Sequence, residues 1–159
     1  MSIINGRMTT RLDREFVVFL IGMRINKFWS IGQWLPVAMS MPRMIQELVK
    51  NPASGFLGSE QWFGRTTIMV QYWESFEKLE AYARNPKAEH YPNWIKFNKQ
   101  VRASGAVGVW HETYQIAPGK HESIYVNMPP FGLGKVSKSM PVTDYLDEAR
   151  NRMKVTEQP

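Results

Sequence analysis

The order of apolar and polar positions divides the chain into short segments of two periods. Residues 16–25 form a nearly unbroken apolar run containing β-branched Val17, Val18 and Ile25, which predicts a strand buried on both faces. Residues 26–40 read as a connection bearing Trp29 and Trp34. From 41 to 50 the apolar residues Met41, Met44, Ile45, Leu48 and Val49 recur at helical spacing, behind a Ser40 cap and with Pro42 in the first turn; Asn51-Pro52 stops the helix. Residues 55–62 and 65–73 predict a hairpin around Phe63-Gly64. Ser75 caps the next helix, whose buried stripe is Phe76, Leu79, Tyr82 and Ala83 and which ends at Asn85-Pro86. A further helix is predicted from Pro92, with Trp94, Phe97 and Val101 on one side and Lys96, Lys99 and Arg102 on the other. Residues 106–116 and 121–128 predict a second strand pair joined by a turn at Pro118-Gly119.

The flanks are polar. Residues 1–15 predict a flexible N-terminal arm, residues 16–134 the folded domain, and residues 135–159 a C-terminal tail with one short helix at 144–153. The resulting order βαββα(α)ββ is the split βαβ arrangement of a ferredoxin-like α+β fold, extended by a strand and a helix. Helices on one side of such a sheet leave the other side open, and these strands are too apolar for that side to meet water. A second copy packed sheet against sheet is expected to cover it, giving a homodimer that closes an α+β barrel.

Composition narrows the chemistry. Cysteine is absent, which excludes disulfides, thiolate metal sites and cysteine nucleophiles. The net charge is +6, yet the cations are dispersed along the chain rather than gathered in one segment, which argues against nucleic acid and against an anionic lipid surface as partners. No apolar run approaches the roughly 20 residues of a membrane-spanning helix. With no signal peptide legible at the N-terminus, the expected location is the cytoplasm. Ten Met, six Trp, six Tyr and eight Phe exceed the needs of a minimal core and point to a hydrophobic small-molecule cavity or a broad interface.

Strand alternation ranks the candidate residues. Of the three histidines, His90 and His121 fall at element boundaries, whereas His111 lies in mid-strand. Alternation puts Val107, Val109, His111 and Thr113 on one face and Gly108, Trp110, Glu112 and Tyr114 on the other, so His111 and Glu112 cannot pair. The same rule separates Met69, Gln71 and Trp73 from Ile68, Val70 and Tyr72. Gln71, Tyr125 and Asn127 are polar groups in apolar strands, which must bond one another or face a ligand. Arg24, at a strand end, is a candidate partner for a substrate carboxylate. Phosphate-cradling, dinucleotide, nucleophile-elbow and HExxH signatures are missing. The Phe131-Gly132-Leu133-Gly134 segment is expected to lack the strand-before, helix-after setting of a nucleotide loop.

The blocks GRTTIMVQYW (64–73), LEAYAR (79–84), SGAVGVWHETY (104–114) and NMPPFGLG (127–134) resemble a monooxygenase-like family named after a fumagillin-pathway monooxygenase. That family is similar to the antibiotic-biosynthesis monooxygenases, dimeric α+β barrels, some of which oxidise electron-rich aromatic substrates with O₂ and no cofactor. Related barrels, among them aldoxime dehydratases, hold haem through a histidine. The resemblance implies a monooxygenase-like oxidoreductase acting on a hydrophobic or aromatic small molecule. In that reading Tyr72, Trp73, Trp110 and Tyr114 shape the pocket, Gln71, Tyr125 and Asn127 orient polar atoms, and His111 is the base. No cofactor or metal is expected. The alternatives are a haem enzyme with His111 as axial ligand and a non-catalytic small-molecule binding protein.

Overall fold

In the computed structural model, residues 2–86, 88, 95 and 104–154 are described. The helix expected from Pro92, with Trp94, Phe97, Val101, Lys96, Lys99 and Arg102, lies outside the described residues apart from Ile95, as does His90.

The centre of the fold is a four-stranded antiparallel sheet, built from β2 (Phe16–Ile25), β3 (Phe56–Trp62), β4 (Ile68–Trp73) and β5 (Val107–Ile116) in the order β3-β4-β2-β5. The apolar run of β2 is explained by this position: it pairs with β4 from Val17↔Trp73 to Ile21↔Met69 and with β5 from Phe16↔Ile116 to Ile25↔Val107. Helix α1 (Ile31–Lys50) joins β2 to β3, and α2 (Phe76–Ala83) follows β4. Two strands that flank a hairpin partner, with helical crossovers on either side, make the split βαβ of a ferredoxin-like α+β fold.

The core lies between this sheet and its helices. Val17, Leu48, Trp73 and Leu79 form one buried cluster, with Phe19, Ile45, Phe56, Phe76 and Tyr82 against it; Met23, Ile25 and Val107 form another, covered by Trp34, Val37 and Ala38. Helix α2 begins where its sequence dictates, since the Ser75 side chain accepts the Lys78 amide at 3.3 Å.

Four expectations need correction. Helix α1 starts at Ile31, not after Ser40, and contains both Pro36 and Pro42. Each proline removes one amide from the ladder, but burial of Trp34, Val37 and Ala38 stabilises the early turns in spite of this. Residues 4–11 are not a loose arm: β1 (Ile4–Arg11) is the middle strand of a second sheet, between β6 (Tyr125–Met128) and β7 (Lys138–Pro141). That pairing also takes β6 away from β5, so residues 106–116 and 121–128 do not form a hairpin pair. Finally, the helix expected at 144–153 is two single turns, Asp144–Asp147 and Ala149–Arg152.

β1 gives no apolar signature because its buried contacts, through Thr9 and Thr10, are polar. Thr9 Oγ1 donates to the Ser123 carbonyl at 2.8 Å, and the Thr10 and Ser123 hydroxyls stand 2.6 Å apart. Arg7 is paired with Asp147, which draws the C-terminal segment towards β1.

Candidate functional site

The strand register assigns each candidate side chain to a face. Residues directly opposite one another share a face, so Val17, Phe19, Ile21, Met23 and Ile25 stand with Met69, Gln71 and Trp73 and with Val107, Val109, His111 and Thr113 on the helix side. Val18, Leu20 and Gly22 stand with Val70 and Tyr72 and with Trp110, Glu112 and Tyr114 on the opposite, open side. The alternation read from the sequence is preserved, but the sheet divides the proposed constellation into two groups that cannot meet one substrate.

Gln71 and Trp73 belong to the core. Trp73 is fully buried, its Nε1 donates to Gln71 Oε1 at 2.9 Å, and Gln71 Nε2 points to Met69 Sδ at 3.2 Å. A polar group in an apolar strand is satisfied here by its neighbour, with no ligand required. His111 shares their face but lies on the edge strand, exposed, its ring 5.8 Å from Phe19. Arg24 donates to Thr66 Oγ1 at 2.8 Å and so is tied to the β4 end of the sheet. Asn127, on β6, adopts φ 52° and its Oδ1 accepts the Gly6 amide at 2.9 Å across the register shift between β1 and β6, which makes it a residue that secures the second sheet.

The open face holds the remaining group together. Its rows read Tyr72–Val18–Tyr114 and Val70–Leu20–Glu112, with Glu60 beyond Val70. Val18, Leu20 and Val70 are half-buried, an apolar floor between two tyrosines and two glutamates. At the β5 edge the Tyr114 hydroxyl donates to Glu112 Oε2 at 2.6 Å, and this bond to a carboxylate raises the Tyr114 pKa above its ordinary value. Sequence reasoning placed Glu112 on this face but gave it no part in the chemistry; its signal was an acid alternating with Trp110 and Tyr114 in an apolar strand.

Gly22 sets the shape of the floor. A Cβ there would come within 2.0 Å of the Thr67 carbonyl and 2.7 Å of Trp110 Nε1, so only glycine lets the indole lie across β2 while the Thr67 backbone approaches. Trp110 Nε1 is buried there without an acceptor among the described residues.

The β3 side of the open face is walled by residues 131–136. Phe131 packs edge-on against Trp62 with ring centroids 5.9 Å apart, Gly132 N and Lys135 Nζ both donate to Glu60 Oε1 at 3.3 and 3.4 Å, and Gly134 N donates to the Tyr125 hydroxyl at 3.1 Å. Tyr72 ends against the same segment: a Cβ on Gly132, which has φ 55°, would stand 3.2 Å from its hydroxyl. Burial, helped by Tyr125 and Glu60, raises the Tyr72 pKa, and a backbone hydrogen bond from Leu133 opposes the rise. Contrary to expectation, a strand precedes this glycine segment and a helical turn, Leu133–Val136, follows it. Its Gly132 and Gly134 amides are nonetheless spent on Glu60 and Tyr125, which leaves them unavailable to a phosphate.

A separate cavity of about 240 Å³ lies between the second sheet and the C-terminal turns, lined by Thr10, Arg11, Met140, Tyr145, Leu146 and Arg152 among others. Arg11 is paired with Asp13 and Arg152 with Glu122, so its guanidinium groups are already neutralised. We place the candidate site on the open face instead, where an acid–phenol pair meets an apolar floor.

Haem held by His111 was the cofactor alternative. His111 faces the helix side and no described strand residue of the open face is a histidine, so a haem held by His111 would lie off the face that carries the Glu112–Tyr114 pair; the described histidine nearest that face is His121, beside Phe16. The described residues also contain no cluster of three or more metal-ligating side chains, and no described helix is long and apolar enough to cross a membrane.

The profile of a family described as monooxygenase af470-like matches residues 16–133. Monooxygenase af470 of Aspergillus fumigatus is 28% identical to this chain over 84% of it and 55% of that protein, so the chain spans about half the length of its curated relative. Among solved structures, an aldoxime dehydratase co-crystallised with butyraldoxime superposes with a TM-score of 0.68 at 15% identity, over 86% of this chain and 43% of the other. A second aldoxime dehydratase gives 0.60 at 16% identity, over 93% of this chain and 43% of the other. At that identity the two structures speak to the fold alone.

Proposed function

Because the chain belongs to the monooxygenase af470-like family, we propose that it is an oxygenase that holds a hydrophobic, electron-rich small molecule against the open face of the four-stranded sheet and deprotonates it with Glu112. The observation that carries this reading is the Glu112–Tyr114 pair, 2.6 Å apart, at the edge of the Val18–Leu20–Val70 floor. Tyr114 orients the carboxylate; the floor, with Tyr72 and Trp110 at its sides, excludes water and stacks against a flat substrate. Glu112 takes a proton from an acidic carbon or phenol, leaving an electron-rich anion.

For an activated methylene the balance is R₂CH₂ + O₂ → R₂C=O + H₂O. Two C–H bonds break, one oxygen atom becomes the carbonyl and the other leaves as water, and the substrate carbon supplies all four electrons. The protein's part is to bind, orient and accept the proton.

The experiment compares Glu112→Gln with His111→Gln in oxygen-uptake assays on a panel of aromatic phenols and anthrone-like compounds. Glu112→Gln should bind ligand, read by tryptophan fluorescence, and turn over about a hundredfold more slowly, as expected for loss of a general base, while His111→Gln keeps its rate. The opposite pattern would move the chemistry to the helix-side face. So would a haem absorption band in the purified protein that disappears in His111→Gln.

A further inference from the structure

Helix α1 buries one face against the sheet through Trp34, Val37, Ala38, Ile45 and Leu48. A second row beside that face is also apolar and is left uncovered, which a helix packed on one side only does not require. Ile31, Leu35 and Met39, spaced four apart and so in one row, are 51%, 43% and 57% exposed. Immediately before the helix Phe28 is 62% and Trp29 92% exposed. These aromatics are held in place: Trp34 Nε1 donates to the Phe28 carbonyl at 2.9 Å, and the Phe28 and Trp34 rings lie 6.3 Å apart.

The charge around this row has one sign. Residues 16–46 contain no Asp or Glu, and exposed Lys27, Arg43 and Lys50 accompany the row; Lys27 Nζ gives one of its hydrogens to the Ser104 carbonyl at 2.8 Å, and Arg43 and Lys50 are adjacent to the row on the helical projection. Glu47, the first acid to follow, is half-buried and accepts the Tyr82 hydroxyl at 3.1 Å. Cations that are dispersed along the sequence are thus wound by the helix onto one apolar surface.

We propose that this face docks the protein on an anionic lipid surface, with Phe28 and Trp29 as interfacial anchors, Ile31, Leu35 and Met39 below the headgroups, and Lys27, Arg43 and Lys50 against the lipid phosphates. A second copy is the less favourable occupant: two such faces apposed would set these cations against each other, and Glu47, the nearest acid on the helix, is already engaged by Tyr82. A bilayer supplies both an apolar interior and a negative layer. The inference is independent of the reading of the open face.

The test is sedimentation of the full chain with unilamellar vesicles. Binding should occur to phosphatidylcholine vesicles carrying about a third phosphatidylserine, be much weaker to phosphatidylcholine alone, and decline with added salt. Tryptophan emission should shift to the blue on binding, and Trp29→Ser should lose most of that shift. Leu35→Glu with Met39→Glu should abolish binding, and Arg43→Gln with Lys50→Gln should cost roughly fivefold per cation. Because all these side chains are exposed, the variants should unfold at the wild-type urea midpoint, which separates lost docking from lost folding. Absence of vesicle binding at low salt, or binding that survives the double glutamate variant, would overturn the proposal. Dissociation of a lipid-free oligomer by that variant would overturn it in favour of an interface between copies.

Discussion

At the scale of single residues, the polar groups of the core and of the second sheet show how strongly local partners decide a side chain's role. Gln71 is polar in an apolar strand, a pattern that marks either a satisfied core residue or a ligand contact, and only the Trp73 and Met69 contacts distinguish the two. His121 is the converse case. It stands edge-on to Phe16, ring centroids 5.0 Å apart, with Nδ1 buried and unpartnered among the described residues. Burial pushes its pKa below the usual value, and Asp13 offsets only part of this. The unfolded chain therefore takes up a proton near pH 6.5 that the folded chain resists. The stability carried by neutral His121 is present above that pH and is lost as the pH falls through the lowered folded value. Urea midpoints between about pH 8 and pH 5 should fall less steeply for His121→Gln than for the wild type. Equal slopes would assign the acid sensitivity to other groups.

At the scale of elements, what was legible in the sequence follows from how each element is stabilised. β2, β4 and β5, α2 and the face on which each strand residue stands could be read because they bury apolar side chains at fixed periods. β1 and β7 could not, since they are held by backbone pairing and by Thr–Ser hydrogen bonds that leave no periodic trace. The first turns of α1 were hidden by Pro36 and Pro42, breakers by local rule that tertiary packing overrides. The candidate site was legible in the same measure: Tyr72, Trp110 and Tyr114 share a face by alternation, while the linkage of the two sheets depends on contacts between distant segments. That linkage rests on the segment walling the open face, where the Tyr125 hydroxyl accepts the Gly134 amide at 3.1 Å. Tyr125→Phe leaves this part-buried amide only its bond to the Phe131 carbonyl, 2.9 Å away, and should cost about 0.5–1.5 kcal/mol in denaturant unfolding. Hydrogen exchange should accelerate at residues 132–136 and not in β2. Unchanged exchange there would mean that Glu60 alone secures the segment.

At the scale of the molecule, the open face of the sheet poses the problem of what covers it. Val18, Leu20 and Val70 stay half-buried at its centre, and Trp62 and Tyr114 at its two sides are 44% and 48% exposed. A contiguous apolar surface of this kind, bounded by polar groups, marks an interface or a ligand groove, and a barrel formed with a second copy provides both, because it encloses the Glu112–Tyr114 pair while burying the floor. We therefore expect sedimentation velocity at micromolar concentration to give twice the 18.5 kDa chain mass. Leu20→Arg places a guanidinium at the centre of the floor, between Val70 and Glu112, where it engages the Glu112 carboxylate and would have to be buried by a second copy, and it should yield a folded monomer of low activity. Leu35→Glu with Met39→Glu, on the far side of the helix layer, should leave the dimer intact, so the two surfaces are separable in one series of runs. A wild-type monomer would remove the basis for a shared barrel, and a dimer indifferent to Leu20→Arg would move the contact away from the open face.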